Sequence, residues 1–163
     1  MYKVFNELME KLKEIIPVDD LAYLTVKDDE EAFAFYKNDT QMCDIKTWKK
    51  FHKEEYPTII KHIPVLTELV TTKKYVAVEN THKLVPPQKE FQVLNIYSIY
   101  LFPVVRDNKV IGFVDIPYTC NYHVIDKDTL DKIQCLVDEY SEKIVGTEIG
   151  RAHVWTPVTA SIS

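Results

Sequence analysis

The chain is poor in glycine, and this scarcity excludes the nucleotide-binding loops that need several of them. Only Gly112, Gly146 and Gly150 occur among the 163 residues. A Walker loop or a Rossmann turn uses closely spaced glycines so that the backbone can approach a phosphate group. Neither loop can be built here, so P-loop NTPases and Rossmann dehydrogenases are excluded.

The sequence also lacks a long apolar run, a basic cluster and a cysteine pattern. Without about 18 consecutive apolar residues we expect no membrane span, and residues 2–16 carry too many charges for a signal peptide. A net charge of −5 disfavours a nucleic-acid partner. The three unpatterned cysteines, Cys43, Cys120 and Cys135, fit a reducing compartment, so we expect a cytoplasmic location.

What the sequence does contain is enough apolar material for one core, since 46% of its residues are hydrophobic. The periodicity predicts helices over 2–16, from Thr47 to 63 with a kink at Pro57, over 64–73, from Pro86 to 95 and from Asp126 to 145, and strands over 21–26, 31–36, 74–79, 97–105 and 110–118. This order indicates an α+β domain with a single antiparallel sheet.

The end of the chain fits no element. Residues 149–159 have neither helical nor strand periodicity and look like the translation of a sequencing-library adapter. We therefore predict one domain over residues 1–148, followed by a non-native disordered tail over residues 149–163. On this interpretation the natural protein continues past about Glu148.

Two residues of the predicted final hairpin carry positional information. Pro103 has no backbone donor, so it belongs where the strand ladder is open or bent. Gly112 is a lone strand glycine, which suggests either a close approach of another element or a bulge. Their segment, residues 101–115 (LFPVVRDNKVIGFVD), resembles the end of a GAF domain, where an apolar–Pro–apolar step precedes a polar turn and an Ile/Val-Gly strand.

The resemblance implies an antiparallel sheet of five or six strands, with the first and last helices packed on one face and the middle helices on the other. It implies a non-catalytic sensory or regulatory domain, which binds a small ligand beside the middle helices or relays a signal to an output domain that is missing here. The motifs of cyclic-nucleotide-binding and bilin-binding members are absent. The ligand and any cofactor therefore stay unknown. The apolar stripes of helices 2–16 and 126–145 also predict a homodimer.

The candidate binding residues come mainly from the strands and their ends. Asp115 lies within an apolar strand, where a carboxylate needs a partner, solvent or a polar pocket. Alternation predicts that it shares a face with Ile111 and Phe113. The full set of candidate ligand-binding residues is Tyr36, Glu79, Tyr97, Asp115, Tyr118 and His123.

We predict no catalytic residue and no metal site, because the histidines form no ligand-spaced set. Two alternatives stay open. One is a thiol-dependent reductase of the free methionine sulfoxide type, which would use Cys43 and Cys120. The other is a ligand-free dimerisation or interaction domain, whose interior would be filled by side chains. In either case Cys135, inside the last helix, is predicted to be a small buried hydrophobe.

Overall fold

The computed structural model describes residues 2–40 and 43–162, and the side chains as far as residue 150. The helices are α1 (Lys3–Lys13), α2 (Ile45–Lys50), α3 (Pro64–Thr72), α4 (Lys89–Val93) and α5 (Lys127–Ile162). The strands are β1 (Ala22–Lys27), β2 (Glu31–Lys37), β3 (Thr58–Ile59), β4 (Val76–Val78), β5 (Ile96–Arg106) and β6 (Lys109–Thr119). A π-helical turn covers Phe51–Glu55, and 3-10 turns cover Ile60–His62 and Thr81–Lys83.

The six described strands form one sheet in the order β3-β2-β1-β6-β5-β4, and every neighbouring pair is antiparallel. The centre is the long β5–β6 hairpin, which turns at Asp107 and Asn108 with φ angles of 51° and 61°. Asp and Asn tolerate this left-handed backbone better than other non-glycine residues, which suits a tight hairpin turn. The predicted α+β architecture with a single antiparallel sheet is confirmed.

The sheet separates two apolar cores. On one face α1 and α5 pack together, and α1 contributes a stripe at helical spacing: Val4, Phe5, Leu8 and Leu12. On the other face the middle helices contribute Trp48 from α2, Leu66 and Leu69 from α3, and Phe91 from α4. The predicted division into terminal helices on one face and middle helices on the other is therefore confirmed.

The helix predicted over residues 47–63 is wrong in its second half. The helix α2 begins earlier, because Asp44 is its N-cap and accepts a hydrogen bond of 2.7 Å from the backbone N–H of Thr47. The helical path ends before Pro57, which cannot donate and which disfavours helical backbone in the residue before it. The chain then forms β3, where Thr58 pairs with Ala32 of β2.

The helix predicted from Pro86 to residue 95 is shorter than expected. The helix α4 begins at Lys89 and ends at Val93, so both prolines precede it rather than fill its first turn. After it, Asn95 has a φ of 55° and leads directly into β5. This short helix carries Phe91 into the core and leaves Glu90 at its edge.

Both positional predictions for the final hairpin hold. Val104 and Val105 of β5 pair with Gly112 and Val110 of β6, which leaves Ile111 as the extra residue of a bulge. The bulge turns Ile111 towards the α1–α5 face, so the predicted common face of Ile111 and Asp115 is wrong. Phe113 does lie on the face that carries the middle helices, as Asp115 does. Gly112 lies against the ring of the fully buried Tyr23, and a Cβ atom there would overlap the hydroxyl.

Pro103 lies where the ladder is open. The strand β4 pairs only with Ile99–Leu101 of β5, so Pro103 is beyond its end. The carbonyl oxygen of Pro103 accepts a hydrogen bond of 3.1 Å from the side-chain amide of Gln134 on α5. The residue without a donor thus occupies an edge position, and a helix takes up its acceptor.

The helix α5 continues to Ile162, whereas the sequence favoured an end near residue 145. The side chains of residues 151–163 lie outside the described part of the structure, so the interpretation of residues 149–163 as a non-native tail stays a prediction. None of the helices in the described residues is both long and apolar enough to cross a bilayer.

Candidate ligand-binding site

A cavity of about 400 Å³ lies on the face of the sheet that carries the middle helices. Its walls come from the loop before β1, the end of β2, helices α2 and α4, and strands β5 and β6. The described lining residues are Asp19, Asp20, Ala22, Lys37, Thr40, Cys43, Trp48, Glu90, Val93, Leu94, Asn95, Ile96, Ile99, Asp115, Pro117 and Thr119. The volume is in the range of small-molecule sites in proteins.

A buried ion pair forms one side of the cavity. The Nζ of Lys37 lies 2.7 Å from Oδ2 of Asp20, and the two side chains are only 6% and 13% exposed. Lys37 also donates to the carbonyl oxygen of Asn38 at 3.0 Å and reaches the hydroxyl of Thr40 at 3.5 Å. All three ammonium donors therefore have partners. Burial raises the pKa of Asp20, and the bond to Lys37 opposes that rise.

Asp115 forms the floor of the cavity. It lies in the centre of the sheet, between Ala22 of β1 and Leu101 of β5. Its Oδ1 atom is buried and has no hydrogen-bond partner. Burial raises the pKa of Asp115 well above its ordinary value, and the nearby carboxyls of Glu90 and Asp20 raise it further. An uncompensated acceptor of this kind is costly to bury, so it is a candidate contact for a bound molecule.

Glu90 connects the cavity to a buried histidine. Its Oε1 lies 3.2 Å from Nε2 of His52, although the geometry is not that of a hydrogen bond. The other ring nitrogen, Nδ1, is within 3.1 Å of the hydroxyl of Thr58. Burial raises the pKa of Glu90 to about 7 and lowers the pKa of His52 to about 4. At mildly acidic pH both groups are therefore neutral.

This pair predicts a difference in pH dependence between two single variants. Between about pH 4.5 and 7 the folded chain holds a proton on Glu90 that the unfolded chain releases, so this stability falls as pH rises. His52 acts oppositely: the unfolded chain binds a proton below about pH 6.5, so stability is lost as pH falls towards 4. Each group changes the free energy of unfolding by about 3 kcal/mol across its pH range. In the wild type the two changes have opposite signs and nearly cancel where the ranges overlap.

In Glu90→Gln only the effect of His52 remains, so we expect the free energy of unfolding to rise from pH 4 to 6.5. In His52→Asn only the effect of Glu90 remains, so the free energy of unfolding should fall from pH 4.5 to 7. Urea denaturation at a series of pH values measures both, with Glu68→Gln on the exposed face of α3 as the matched control. Parallel curves for all four proteins would contradict the assignment.

Apolar side chains complete the cavity. Trp48, Ile96 and Ile99 are buried in the core beneath it, and Pro117 lies along β6. The indole of Trp48 also meets the ring of His52 edge to face, with ring centroids 5.1 Å apart. The cavity therefore combines a flat apolar wall with a few convergent carboxyls, which is the usual make-up of a small-molecule site.

Of the six predicted binding residues, only Asp115 lines this cavity. Tyr36 and Tyr118 belong to the core on the α1–α5 face. The ring of Tyr36 stacks on Phe5 with centroids 4.6 Å apart, and its hydroxyl donates to Asn6 at 3.1 Å. The hydroxyl of Tyr118 donates to the carbonyl oxygen of Pro17 at 2.6 Å. Alternation along β2 and β6 turns these tyrosines away from the cavity.

The other three predicted residues lie near one end of the sheet. Glu79 is exposed, and its carbonyl oxygen accepts a hydrogen bond of 2.7 Å from the hydroxyl of Ser98. Tyr97 packs edge to face against His82, at a centroid distance of 4.9 Å. His123 stacks on Tyr118 at 4.4 Å. The hydroxyl of Ser98 joins two of them, because it donates to Glu79 and accepts a hydrogen bond of 2.9 Å from the backbone N–H of His123. None of the three borders the cavity.

Sequence reasoning missed the residues that give the cavity its charge. The local sequence of the pair Asp19-Asp20 is typical of a turn, and the spacing of the histidines does not distinguish His52 from a surface residue. Lys37 and Glu90 were not singled out. One usable signal was present: Lys37 closes the apolar strand EAFAFYK, where a lysine needs an acidic partner if the strand end is buried.

The cysteines occupy different environments. Cys43 borders the cavity, and burial raises the pKa of its thiol. Cys120 is exposed and accepts a hydrogen bond of 3.1 Å from the amide of Asn95. Cys135 is also exposed, so its predicted burial inside α5 is wrong, because this position faces away from the apolar stripe of the helix. Among the described residues no cluster of three metal-ligating side chains occurs.

Comparison with known proteins gives matches in structure only. No family model matches the sequence, and no curated protein matches it. The GAF domain/HD domain protein from Geobacter sulfurreducens superposes with a TM-score of 0.69 at 15% identity, covering 90% of this chain and 93% of that one. The GAF domain of a two-component sensor histidine kinase from Bacillus halodurans gives a TM-score of 0.62 at 17% identity, covering 91% and 96%.

A third similar structure is the blue-light-absorbing form of the PixJ GAF domain from Thermosynechococcus elongatus, with a TM-score of 0.62 at 13% identity, covering 98% of this chain and 90% of that one. All three likenesses extend over nearly the whole chain. At these identities the likeness concerns the fold. The resemblance seen in the sequence is thus confirmed at that level: this chain has the GAF fold.

Proposed function

We propose that the chain is a non-catalytic sensory domain that binds a small molecule in the cavity and passes the bound state on to α1 and α5. The observation that carries the proposal is the buried, unpartnered Oδ1 of Asp115 at the floor of a cavity of about 400 Å³. A cavity with an unsatisfied polar group is better explained by a ligand than by packing alone. A cytoplasmic location and an output domain beyond the C-terminal helix belong to the same proposal.

One route from the cavity to the terminal helices runs through α2. Trp48 borders the cavity, and the next residue, Lys49, donates from Nζ to the hydroxyl of Tyr2 at 3.1 Å. The same ammonium group lies 5.6 Å from the centroid of the Tyr2 ring. A ligand that moves α2 would therefore shift the start of α1.

A second route runs through β6, which has one face in each core. Asp115 and Pro117 border the cavity, while Val114 and Ile116 are fully buried against the terminal helices. Because neighbouring strand residues point to opposite faces, a small displacement of Asp115 moves both cores together. The mechanism is a population shift between two packings of α1 and α5.

The experiment that tests the proposal is native mass spectrometry of freshly purified protein. We expect an added mass that is lost on denaturation. The variant Thr119→Trp, which fills a half-buried position of the cavity wall, should lose this mass. Val124→Trp, at a residue that is 67% exposed and outside the lining, is the control and should keep it.

Hydrogen exchange tests the relay. Adding back the released compound should change the protection of α1 and α5 as well as that of α2 and α4. Equal exchange of the terminal helices with and without the compound would contradict a sensory role. An added mass retained by Thr119→Trp would show that the compound occupies another site.

Thiol chemistry is not proposed, since a raised pKa at Cys43 reduces the thiolate that such a reaction needs at neutral pH. Homodimerisation stays part of the proposal. The apolar stripes of α1 and α5 already face each other and the sheet, so a dimer would use their outer surfaces and Ile149, which is 47% exposed. Light scattering that gives only monomer across a wide concentration range would count against it.

A further inference from the structure

The ionisable side chains around the cavity are mostly acidic. Among the described lining residues, Asp19, Asp20, Glu90 and Asp115 are acidic, and Lys37 is the one basic side chain. Lys37 is already held by Asp20 at 2.7 Å and by the carbonyl oxygen of Asn38 at 3.0 Å. A phosphate or carboxylate ligand would therefore find no free cation here, and it would meet two further carboxyls.

Among these acidic residues, Asp115 has an acceptor atom that is open to a ligand. Its Oδ1 is buried at the cavity floor without a hydrogen-bond partner, between two central strands. The neighbouring carboxyl of Glu90 borders the same space. A positively charged group with several N–H donors would compensate both carboxyls and satisfy the open acceptor.

The apolar wall limits what is attached to that charged group. Trp48, Ile99 and Pro117 border the cavity, and Trp48 offers an aromatic ring near the carboxyls. Aromatic rings attract cations as well as apolar bodies. The volume of about 400 Å³ suits a compound with one or two rings rather than a large cofactor.

We infer that the cavity takes a small organic cation, an amine or amidine on an apolar body, with its charged group against Asp115 and its body against Trp48. The inference rests on the proposed function, because it names the class of ligand for the same site. The raised pKa of Asp115 supports it: burial makes the carboxyl favour the proton, and a bound cation would favour the carboxylate.

Three probes of nearly equal shape test the inference by isothermal titration calorimetry near neutral pH: benzamidine is cationic, benzamide is neutral and benzoate is anionic. We expect benzamidine to bind at least about tenfold more tightly than either of the others. The amine 2-phenylethylamine, titrated against 2-phenylethanol, repeats the comparison with a different charged head.

The isosteric variant Asp115→Asn should weaken benzamidine binding at least about tenfold and leave the weak binding of benzamide unchanged. Asp107→Asn, at the exposed hairpin turn, is the matched control and should bind as the wild type does. Thermal unfolding shows whether each variant is folded. If it were not, the probe series on the wild type would still decide.

Cys43 offers an independent readout because it borders the cavity, whereas Cys135 is exposed on α5. Saturating benzamidine should slow alkylation of Cys43 by iodoacetamide and leave the rate at Cys135 unchanged, as measured by peptide mass mapping. An alkylation rate at Cys43 that benzamidine does not change would overturn the inference, because the probe would then bind elsewhere.

The inference fails if benzoate binds as well as benzamidine, if neither cation binds, or if Asp115→Asn binds benzamidine as the wild type does. These failures are distinct from failure of the proposed function. A neutral or anionic compound found by native mass spectrometry, and lost in Thr119→Trp, would overturn the inference of a cationic ligand and leave the proposed sensory function standing. A cavity that takes no compound would overturn both.

Discussion

Replacing Gly112 by alanine is expected to lower the free energy of unfolding by about 3 kcal/mol. The new Cβ would overlap the hydroxyl and ring of Tyr23 and approach the carbonyl oxygen of Leu24. Tyr23 is fully buried, so its ring has no free space to move into. Relief would require a shift of two central strands, β1 and β6, which pair directly here. Urea denaturation measures the loss.

Gly146→Ala is the matched control, because a Cβ built there meets no atom within 4 Å apart from its chain neighbours and the backbone of its own helix. This position is inside α5, where alanine forms helix more readily than glycine, so a gain of up to about 1 kcal/mol is expected. Two variants with the same chemical change should thus move stability in opposite directions. A Gly112→Ala protein as stable as the wild type would mean that Tyr23 does not pack as described.

The second large effect is expected at the buried ion pair. Lys37→Met removes the ammonium group and leaves Asp20, which is only 13% exposed, without its partner at 2.7 Å. Removing one member of a buried pair leaves an uncompensated charge, and we expect a loss of about 3 kcal/mol at neutral pH. The loss should shrink as pH falls, because a protonated Asp20 needs no cation.

The double variant Asp20→Asn/Lys37→Met tests whether the pair itself is the cause. Replacing both charges is expected to recover most of the stability, since no unpaired charge then remains buried. Lys127→Met is the control: it breaks the exposed pair with Asp131, which has a similar distance of 2.9 Å, and should change stability little because solvent screens it. Additive effects of the two single changes at Asp20 and Lys37 would contradict the coupling.

The fold could be predicted from the sequence wherever one element has a strong period of its own. Helix α1 and the β5–β6 hairpin are of this kind, and their bounds came close. The prediction failed after Pro57, where two residues pair with β2 through a contact that no local pattern reveals. It failed also at Ile111, because a bulge changes the alternation without leaving a mark in the composition.

The site was harder to predict, because its residues are scattered along the chain. Asp115 was found from local context alone, as a carboxyl within an apolar strand. The fold alone brings together Asp20 before β1, Lys37 at the end of β2 and Glu90 on α4, so no local pattern identifies them as a site. Tyr36 and Tyr118 are aromatic strand residues, and only the register decides which face of the sheet they take.

The open edge of β5 has a consequence for how copies of this chain can meet. An exposed strand edge is a template on which another chain can add a strand, the first step towards fibrils. Beyond β4 that edge presents Pro103, which has no donor, and its acceptor is engaged by Gln134. A visiting strand would therefore find no ladder to continue at this point, which protects the molecule against edge-to-edge aggregation there.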